Sequence, residues 1–350
     1  MGQIFKHGSW RTIHQIVLVW KESRRSRRGS AALPSERTGK LFLLNRIIFR
    51  AYNEEKKEKD RLRADSYKIA VIGGDKRQVY LAQILAARGY DVAVCGLCEN
   101  VHGERIRETT ALAEALEQAD AAVCPVPFLR SGRITGSYEA ADMNIETLFK
   151  KLPGQAQIFA GNIPEDVREY AERKGLRVYD MMREEEVACR NAVAAAEGAV
   201  AEAIIRSPVN LTKSRCLVLG YGRCGSALAR LLKAFSCQVL VLERDRVKAA
   251  NAFVSADGIV SLEELAAAVE GTDFIFNTAP ELLLTEERLR HVGKRAWILD
   301  IASAPGGVDY RTAEALGVNA VLLPGLPGRY SPCSSAKILA DFIEKRIEAH

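Results

Sequence analysis

A ten-residue stretch in the second half of the chain, Cys216-Leu217-Val218-Leu219-Gly220-Tyr221-Gly222-Arg223-Cys224-Gly225, has the residue types and the spacing to hold a dinucleotide. A short apolar run ends in a G-x-G-x-x-G turn, and an amphipathic run follows from Ser226 to Phe235, the order strand, turn, helix. Gly220 suits the tight turn, Gly222 lets the backbone approach a pyrophosphate, and Gly225 lets the helix pack close to the strand. The helix that starts here turns its free N–H groups and positive dipole end toward the phosphates. Tyr221, Arg223 and Cys224 share the turn and are candidate cofactor contacts with it.

Three further polar stretches follow at expected strand ends. Glu243-Arg244 lies about twenty residues beyond the glycine turn, where an acid binds the adenosine ribose hydroxyls of NAD and a nearby arginine holds the 2′-phosphate of NADP. Both residue types are present, so position alone leaves the choice open. Asn277-Thr278-Ala279-Pro280 ends the next strand, and Asp300-Ile301-Ala302-Ser303-Ala304-Pro305-Gly306-Gly307 the one after. Ligands of open parallel sheets bind beyond the carboxyl ends of the strands, which places these turns on the nicotinamide side.

The first half offers another strand-to-helix turn, Gly73-Gly74-Asp75-Lys76-Arg77-Gln78, without the full dinucleotide spacing. Two glycines, a helix N-terminus and Arg77 suit a carboxylate-bearing substrate. Glu197, between Ala196 and Gly198 in a long Ala-rich run, is an acid that a cleft could use as a base or ligand, set against the plainer reading of an exposed helical glutamate. Cys95-Gly96-Leu97-Cys98 follows a strand and has redox-motif spacing, but no second close pair completes a zinc site, and no metal is expected.

The elements that must position these residues alternate. Strands are expected at Lys68–Ile72, Asp91–Cys95, Ala121–Cys124, Gln157–Ala160 and Arg177–Tyr179, with helices at Gln78–Arg88, Ala111–Glu117 and Pro164–Lys174. A helical run from Glu184 to Ile205, stopped by Pro208, links this half to a second series starting at Cys216. Its further strands are Gln238–Leu242, Asp273–Asn277, Ala296–Asp300 and Asn319–Leu322, and Ser334 to Ala349 closes as an amphipathic helix. The expected fold class is α/β: two doubly wound parallel-sheet domains with a cleft between them, the second a Rossmann domain. The expected division is a basic extension over 1–65, a substrate domain over 66–190 and a dinucleotide domain over 191–333, with helix 334–349 packing back on the first domain.

The net charge of +6 arises at one end. Residues 1–65 carry 16 Lys and Arg against 7 Asp and Glu, and the remaining 285 residues carry 34 against 37. The body is mildly acidic, so nucleic acid is not an expected partner. No apolar run approaches the ~20 residues that span a bilayer. Residues 1–65 read as a solvated extension, as an imitation of a transit peptide, or as a mis-assigned translation start. The eight cysteines are scattered, which suits a reducing cytoplasm better than a disulfide framework. Of five histidines, His7, His14 and His350 lie in the tails, leaving a histidine base poorly supported.

Taken together, Ile69-Ala70-Val71-Ile72-Gly73-Gly74-Asp75 with Arg77-Gln78, the Gly-Tyr-Gly-Arg-Cys-Gly turn, Leu299-Asp300-Ile301-Ala302-Ser303 with Pro305-Gly306-Gly307, and Leu323-Pro324-Gly325-Leu326-Pro327-Gly328 resemble the A subunit of dipicolinate synthase, from about Tyr67 to the C-terminus. The resemblance implies oxidation of dihydrodipicolinate to dipicolinate during endospore formation, in the mother-cell cytoplasm. It implies that NADP+ takes the hydride and that the partner is a flavoprotein-like B subunit. Glu243 departs from an NADP pattern and keeps NAD in play, while Arg244 is the residue assigned to a 2′-phosphate. For the small cyclic dicarboxylate, Arg77 with Gly73 and Gly74 is the first candidate ligand set and Arg223 a second. No motif identifies the base, for which Asp75, Glu197 and Ser303 are candidates beside water. Two other readings share the plan: a dehydrogenase of the 2-hydroxy-acid or alanine type, and a nucleotide-binding subunit without its own activity. Oligomeric state, a homo-oligomer included, is left open.

Overall fold

The computed structural model describes residues 67–136 and 142–348. The basic extension and the tail histidines His7, His14 and His350 lie outside the described residues. The first half contains β1 (Lys68–Ile72), α1 (Lys76–Ala87), β2 (Asp91–Cys95), β3 (Ile106–Thr109), α2 (Leu112–Ala115), β4 (Ala121–Val123), the hairpin strands β5 (Leu129–Arg130) and β6 (Arg133–Ile134), α3 (Ile145–Lys151), β7 (Gln157–Ala160), α4 (Glu165–Arg173) and β8 (Arg177–Asp180). The 22-residue helix α5 (Glu185–Arg206) follows. The second half contains β9 (Arg215–Leu219), α6 (Arg223–Ala234), β10 (Gln238–Leu242), α7 (Arg246–Ala252), β11 (Gly258–Val260), α8 (Leu265–Val269), β12 (Phe274–Asn277), α9 (Glu286–Leu289), β13 (Trp297–Asp300), α10 (Tyr310–Leu316), β14 (Asn319–Leu322), α11 (Leu326–Tyr330) and α12 (Pro332–Glu348).

Two parallel six-stranded sheets result, in the orders β3-β2-β1-β4-β7-β8 and β11-β10-β9-β12-β13-β14. Both follow the order 3-2-1-4-5-6 of a doubly wound sheet, and each reverses direction beside its first strand. The central strands are unbroken apolar runs because both faces are covered: Ile69 to Ile72 and Cys216 to Leu219 are fully buried. The fold is therefore the expected α/β class with two parallel-sheet lobes. Strands β3 and β11, the hairpin β5–β6 and helix α3 were not expected from the sequence. The two strands lie at sheet edges, and β3 has no fully buried residue, so the apolar signal of a central strand is missing.

Helix α5 belongs to both cores. Val187 packs in the first lobe, while Ala196, Ala199, Val200 and Ala203 pack in the second. Helix α12 returns to the first lobe, where Ile338, Leu339, Phe342 and Ile343 join the cluster that holds Leu81 and Leu85 of α1. Arg88 secures this return by bonding Asp341 at 2.6 Å and Glu344 at 3.0 Å.

The short helix α11 is wedged where the lobes meet. A Cβ built on Gly198 of α5 would lie 3.0 Å from both Leu326 Cβ and Tyr330 Cδ2. On its other side, a Cβ on Gly328 would lie 2.9 Å from Arg77 Nε and closer still to Asp75 Oδ2. Missing side chains on both sides thus let three elements touch. Gly198→Val adds two further carbons at a contact already at its limit. We expect it to cost about 2 kcal/mol by overpacking and to lower the thermal midpoint by about 4–8 °C. An unchanged midpoint in a denaturation scan would show that α11 is free to shift.

Candidate active site

Both lobes present a strand-glycine-helix turn at the point where strand order reverses, but the two turns differ in which N–H groups remain available. In the first lobe Gly73 and Gly74 have φ of +57° and +84°, a region open to glycine. Gly73 N–H donates to the Cys95 carbonyl at 2.8 Å and Gly74 N–H to the Thr135 carbonyl at 2.9 Å. Asp75 caps α1, its carboxylate accepting from Arg77 N–H at 3.0 Å. Arg77 is buried and donates through Nε and Nη2 to Asp75, and through Nη2 to the Val126 carbonyl at 2.7 Å. The Gly73 and Gly74 N–H groups and Arg77 Nε and Nη2 thus all have acceptors within the protein. Burial alone would raise the Asp75 pKa, but the Arg77 hydrogen bond and charge outweigh it and hold the carboxyl below its usual range.

The second turn is open. Gly220 has φ +91°, and its N–H donates to the Leu242 carbonyl at 2.8 Å. A Cβ on Gly225 would fall almost on the Gly220 carbonyl oxygen, so helix α6 approaches β9 only because that position is bare. A Cβ on Gly222 would meet nothing within 4 Å. Gly222 caps α6 with no side chain, and among the described residues no acceptor meets the N–H groups of Gly222, Arg223, Cys224 or Gly225. An uncapped helix N-terminus beside empty space is the donor set a pyrophosphate fits.

The other strand ends of this lobe converge on the same edge. Thr278 ties β12 to the turn: its N–H and its hydroxyl each reach the Leu219 carbonyl at 2.9 Å. Glu243 accepts from Tyr221 N–H at 2.8 Å and from Asp245 N–H at 2.9 Å. Arg244 turns outward to an ion pair with Glu281. Arg223 lies 3.4 Å from Glu185, joining the turn to the start of α5.

Asp300, at the end of β13, is completely buried and meets four donors. One oxygen accepts from Asn277 Nδ2 at 2.8 Å and Ala302 N–H at 3.1 Å. The other accepts from Gly307 N–H at 2.7 Å and the Tyr310 hydroxyl at 2.9 Å. Burial and this carboxylate together keep the Tyr310 phenol protonated. Asp300 therefore shapes the loop from Ala302 to Gly307, which presents Ser303 to solvent. Asn277 also donates to the Ala279 carbonyl at 3.0 Å, folding Ala279 and the exposed Pro280 beside that loop.

Glu197 is exposed on α5, with no hydrogen bond or ion pair among the described residues. The acid that α5 buries is Glu202, 1% exposed, held by Arg206 and by Arg329 at 2.7 Å. Its i, i+4 spacing to Gly198 and Arg206 is the sequence signal that could have marked it. Asp300 belongs to a strand end the sequence marks, whereas its partner Tyr310 and the buried Glu202 carry no motif signal. At the C-x-x-C stretch, burial pushes both the Cys95 and Cys98 thiols up, away from the thiolate that redox or metal chemistry needs. No group of three or more His, Cys, Asp or Glu suited to a metal exists among the described residues. No described helix is long and apolar enough to cross a membrane.

Comparison with known proteins agrees with this geometry. Residues 68–182 match the family model for the N-terminal domain of the dipicolinate synthase A subunit. Residues 161–314, which contain the glycine turn and every strand end just described in that lobe, match the NAD binding domain of D-isomer specific 2-hydroxyacid dehydrogenases. The dipicolinate synthase A subunit of Bacillus subtilis is 30% identical over 291 residues, spanning 80% of this chain and 95% of that protein. Crystal structures of the dipicolinate synthase A subunit from Bacillus halodurans and Bacillus subtilis align with TM-scores of 0.75 and 0.71 at 25% and 29% identity. Each alignment covers 81% of this chain, with 98% and 97% of the respective relative. An open dinucleotide cradle on a dehydrogenase domain, joined to this N-terminal domain, makes the chain an NAD(P)-dependent oxidoreductase that belongs to the family of dipicolinate synthase A subunits.

Proposed function

We propose that the chain oxidises dihydrodipicolinate to dipicolinate during endospore formation, in the mother-cell cytoplasm, working with a B subunit. The observation that carries the reading is the uncapped N-terminus of α6, with open space at Gly222, in a chain whose other lobe matches the N-terminal domain of the dipicolinate synthase A subunit. The lobe built on β1 to β8 takes the substrate and the lobe built on β9 to β14 takes the dinucleotide.

When bound, the dinucleotide supplies a nicotinamide ring that accepts hydride. The substrate loses a hydride from a ring carbon and one proton, and its ring becomes aromatic, so much of the driving force lies in the substrate. The protein has to position, exclude water and receive the proton. The α6 N–H groups hold the pyrophosphate, and Thr278, Ala279 and the Ala302–Gly307 loop border the nicotinamide. Arg223, at the start of α6 and partly exposed, is the cation placed to meet a substrate carboxylate, in exchange for Glu185. Asp75, Glu197, Ser303 and water are the candidate acceptors for the proton.

Purified chain mixed with oxidised dinucleotide and freshly generated dihydrodipicolinate should gain absorbance at 340 nm. Reduction with L-alanine or a 2-hydroxy acid, and none with dihydrodipicolinate even when the B subunit is added, would overturn the substrate assignment.

A further inference from the structure

We infer that Asn191, on the helix α5 that joins the lobes, is a substrate ligand: its amide donates a hydrogen bond to a carboxylate of the ring being oxidised. This rests on the reaction proposed above and adds a residue to its substrate side. Asn191 is only 8% exposed, and its Oδ1 is sealed from solvent with no donor among the described residues. Its Nδ2 has no acceptor there either, yet keeps contact with solvent. Whichever way the amide is turned, one end is buried unpartnered and the other reaches open space. Buried side-chain amides ordinarily find partners in their own protein. This one finds none, so it costs stability and contributes none to the fold.

The helix sets this amide where the lobes meet. Four residues earlier Val187 packs in the first lobe, and from Ala196 onward α5 packs in the second. Between them Ala192 and Ala195 are buried, yet they belong to the core of neither lobe. Ala188 and Ala195, at i−3 and i+4, share the face of Asn191, and their small side chains leave room beside it. Two turns further on the same face, Gly198 meets Leu326 and Tyr330 of α11, the wedge that also reaches Asp75 and Arg77. Seams between lobes are where small ligands bind, oriented by a few placed polar groups. A neutral amide suits the task, because it leaves no buried charge to desolvate while the seam is empty. Arg223 remains the cation for the second carboxylate of the ring.

Asn191→Leu tests this, since leucine has nearly the same shape and no polar atom. Its thermal midpoint should equal that of the unmodified chain or exceed it by about 2 °C, because an unpartnered polar group is replaced by an apolar one. Calorimetry on the full-length chain, saturated with oxidised dinucleotide, reads product binding without turnover. We expect Kd for dipicolinate to rise by about tenfold or more, with KM for dihydrodipicolinate rising in step. Kd for the dinucleotide alone should stay within about twofold. Asn191→Ala, smaller than asparagine, should lose dipicolinate to a similar extent, which separates the missing amide from obstruction by leucine. If the unmodified chain binds dipicolinate and both variants bind it equally well, Asn191 is not a substrate ligand and the reaction reading stands. A lowered midpoint in Asn191→Leu with dipicolinate binding unchanged would make the amide a packing group. An equal rise in Kd for the dinucleotide would remove the residue from the substrate side. An unmodified chain that binds no dipicolinate and, with the B subunit present, oxidises no dihydrodipicolinate would overturn the reaction and this inference together.

Discussion

Gly222→Val will abolish dinucleotide binding and leave the protein folded. A Cβ at this position meets nothing within 4 Å, and the backbone there is extended with φ −77°, so valine enters without strain. The space it fills is that into which the uncapped α6 N-terminus points, and the phosphates must occupy the same volume. We expect Kd for the dinucleotide to rise by about 100-fold or more, about 2.7 kcal/mol, with the thermal midpoint unchanged within error. Gly225 is the internal control. Three residues further on, its Cβ would collide with the Gly220 carbonyl, so Gly225→Val should damage the fold itself. If Gly222→Val binds the dinucleotide normally, the pyrophosphate does not lie on this turn.

Asp300→Ala should produce the largest stability loss of any single change at the site. It removes the completely buried acceptor for Asn277, Ala302, Gly307 and Tyr310 at once. Each donor left unpartnered costs about 1–3 kcal/mol, less whatever water recovers. A net loss of about 4 kcal/mol is expected, lowering the thermal midpoint by about 8–16 °C. Asp300→Asn tests the donor geometry, because its amide NH2 must face one pair of N–H or O–H groups. It should lose stability as well, and the Ala302–Gly307 loop should become sensitive to proteolysis in both variants. A midpoint close to that of the unmodified chain would mean that the loop orders itself without this carboxylate.

The lobe plan was legible because buried parallel strands need apolar residues at every position. That is why the runs Lys68–Ile72, Asp91–Cys95, Gln157–Ala160 and Gln238–Leu242 coincide with β1, β2, β7 and β10. Strands β3 and β11 did not announce themselves, since an edge strand owes its existence to the backbone of its neighbour rather than to its own side chains. Helix α5 shows the same limit. It is Ala-rich around much of its circumference because it serves two cores, so its sequence could not say which acid turns inward, and Glu202 rather than Glu197 does.

The amino-acid sequence alone determined the alternation of strands and helices, the dinucleotide turn at Gly220 to Gly225 and the resemblance to the A subunit of dipicolinate synthase. Spacing separated the dinucleotide turn from the Gly73-Gly74 turn, but it could not say which backbone donors at either turn stay available. Only the tertiary structure decided that Gly73 and Gly74 are closed by the Cys95 and Thr135 carbonyls and that α1 is capped by Asp75, while α6 stays uncapped. It also decided that Glu243 is tied to the turn and Arg244 is drawn away by Glu281. The reason is that a hydrogen-bond donor is free or satisfied according to groups tens of residues distant, and that pairing exists only once the chain has folded.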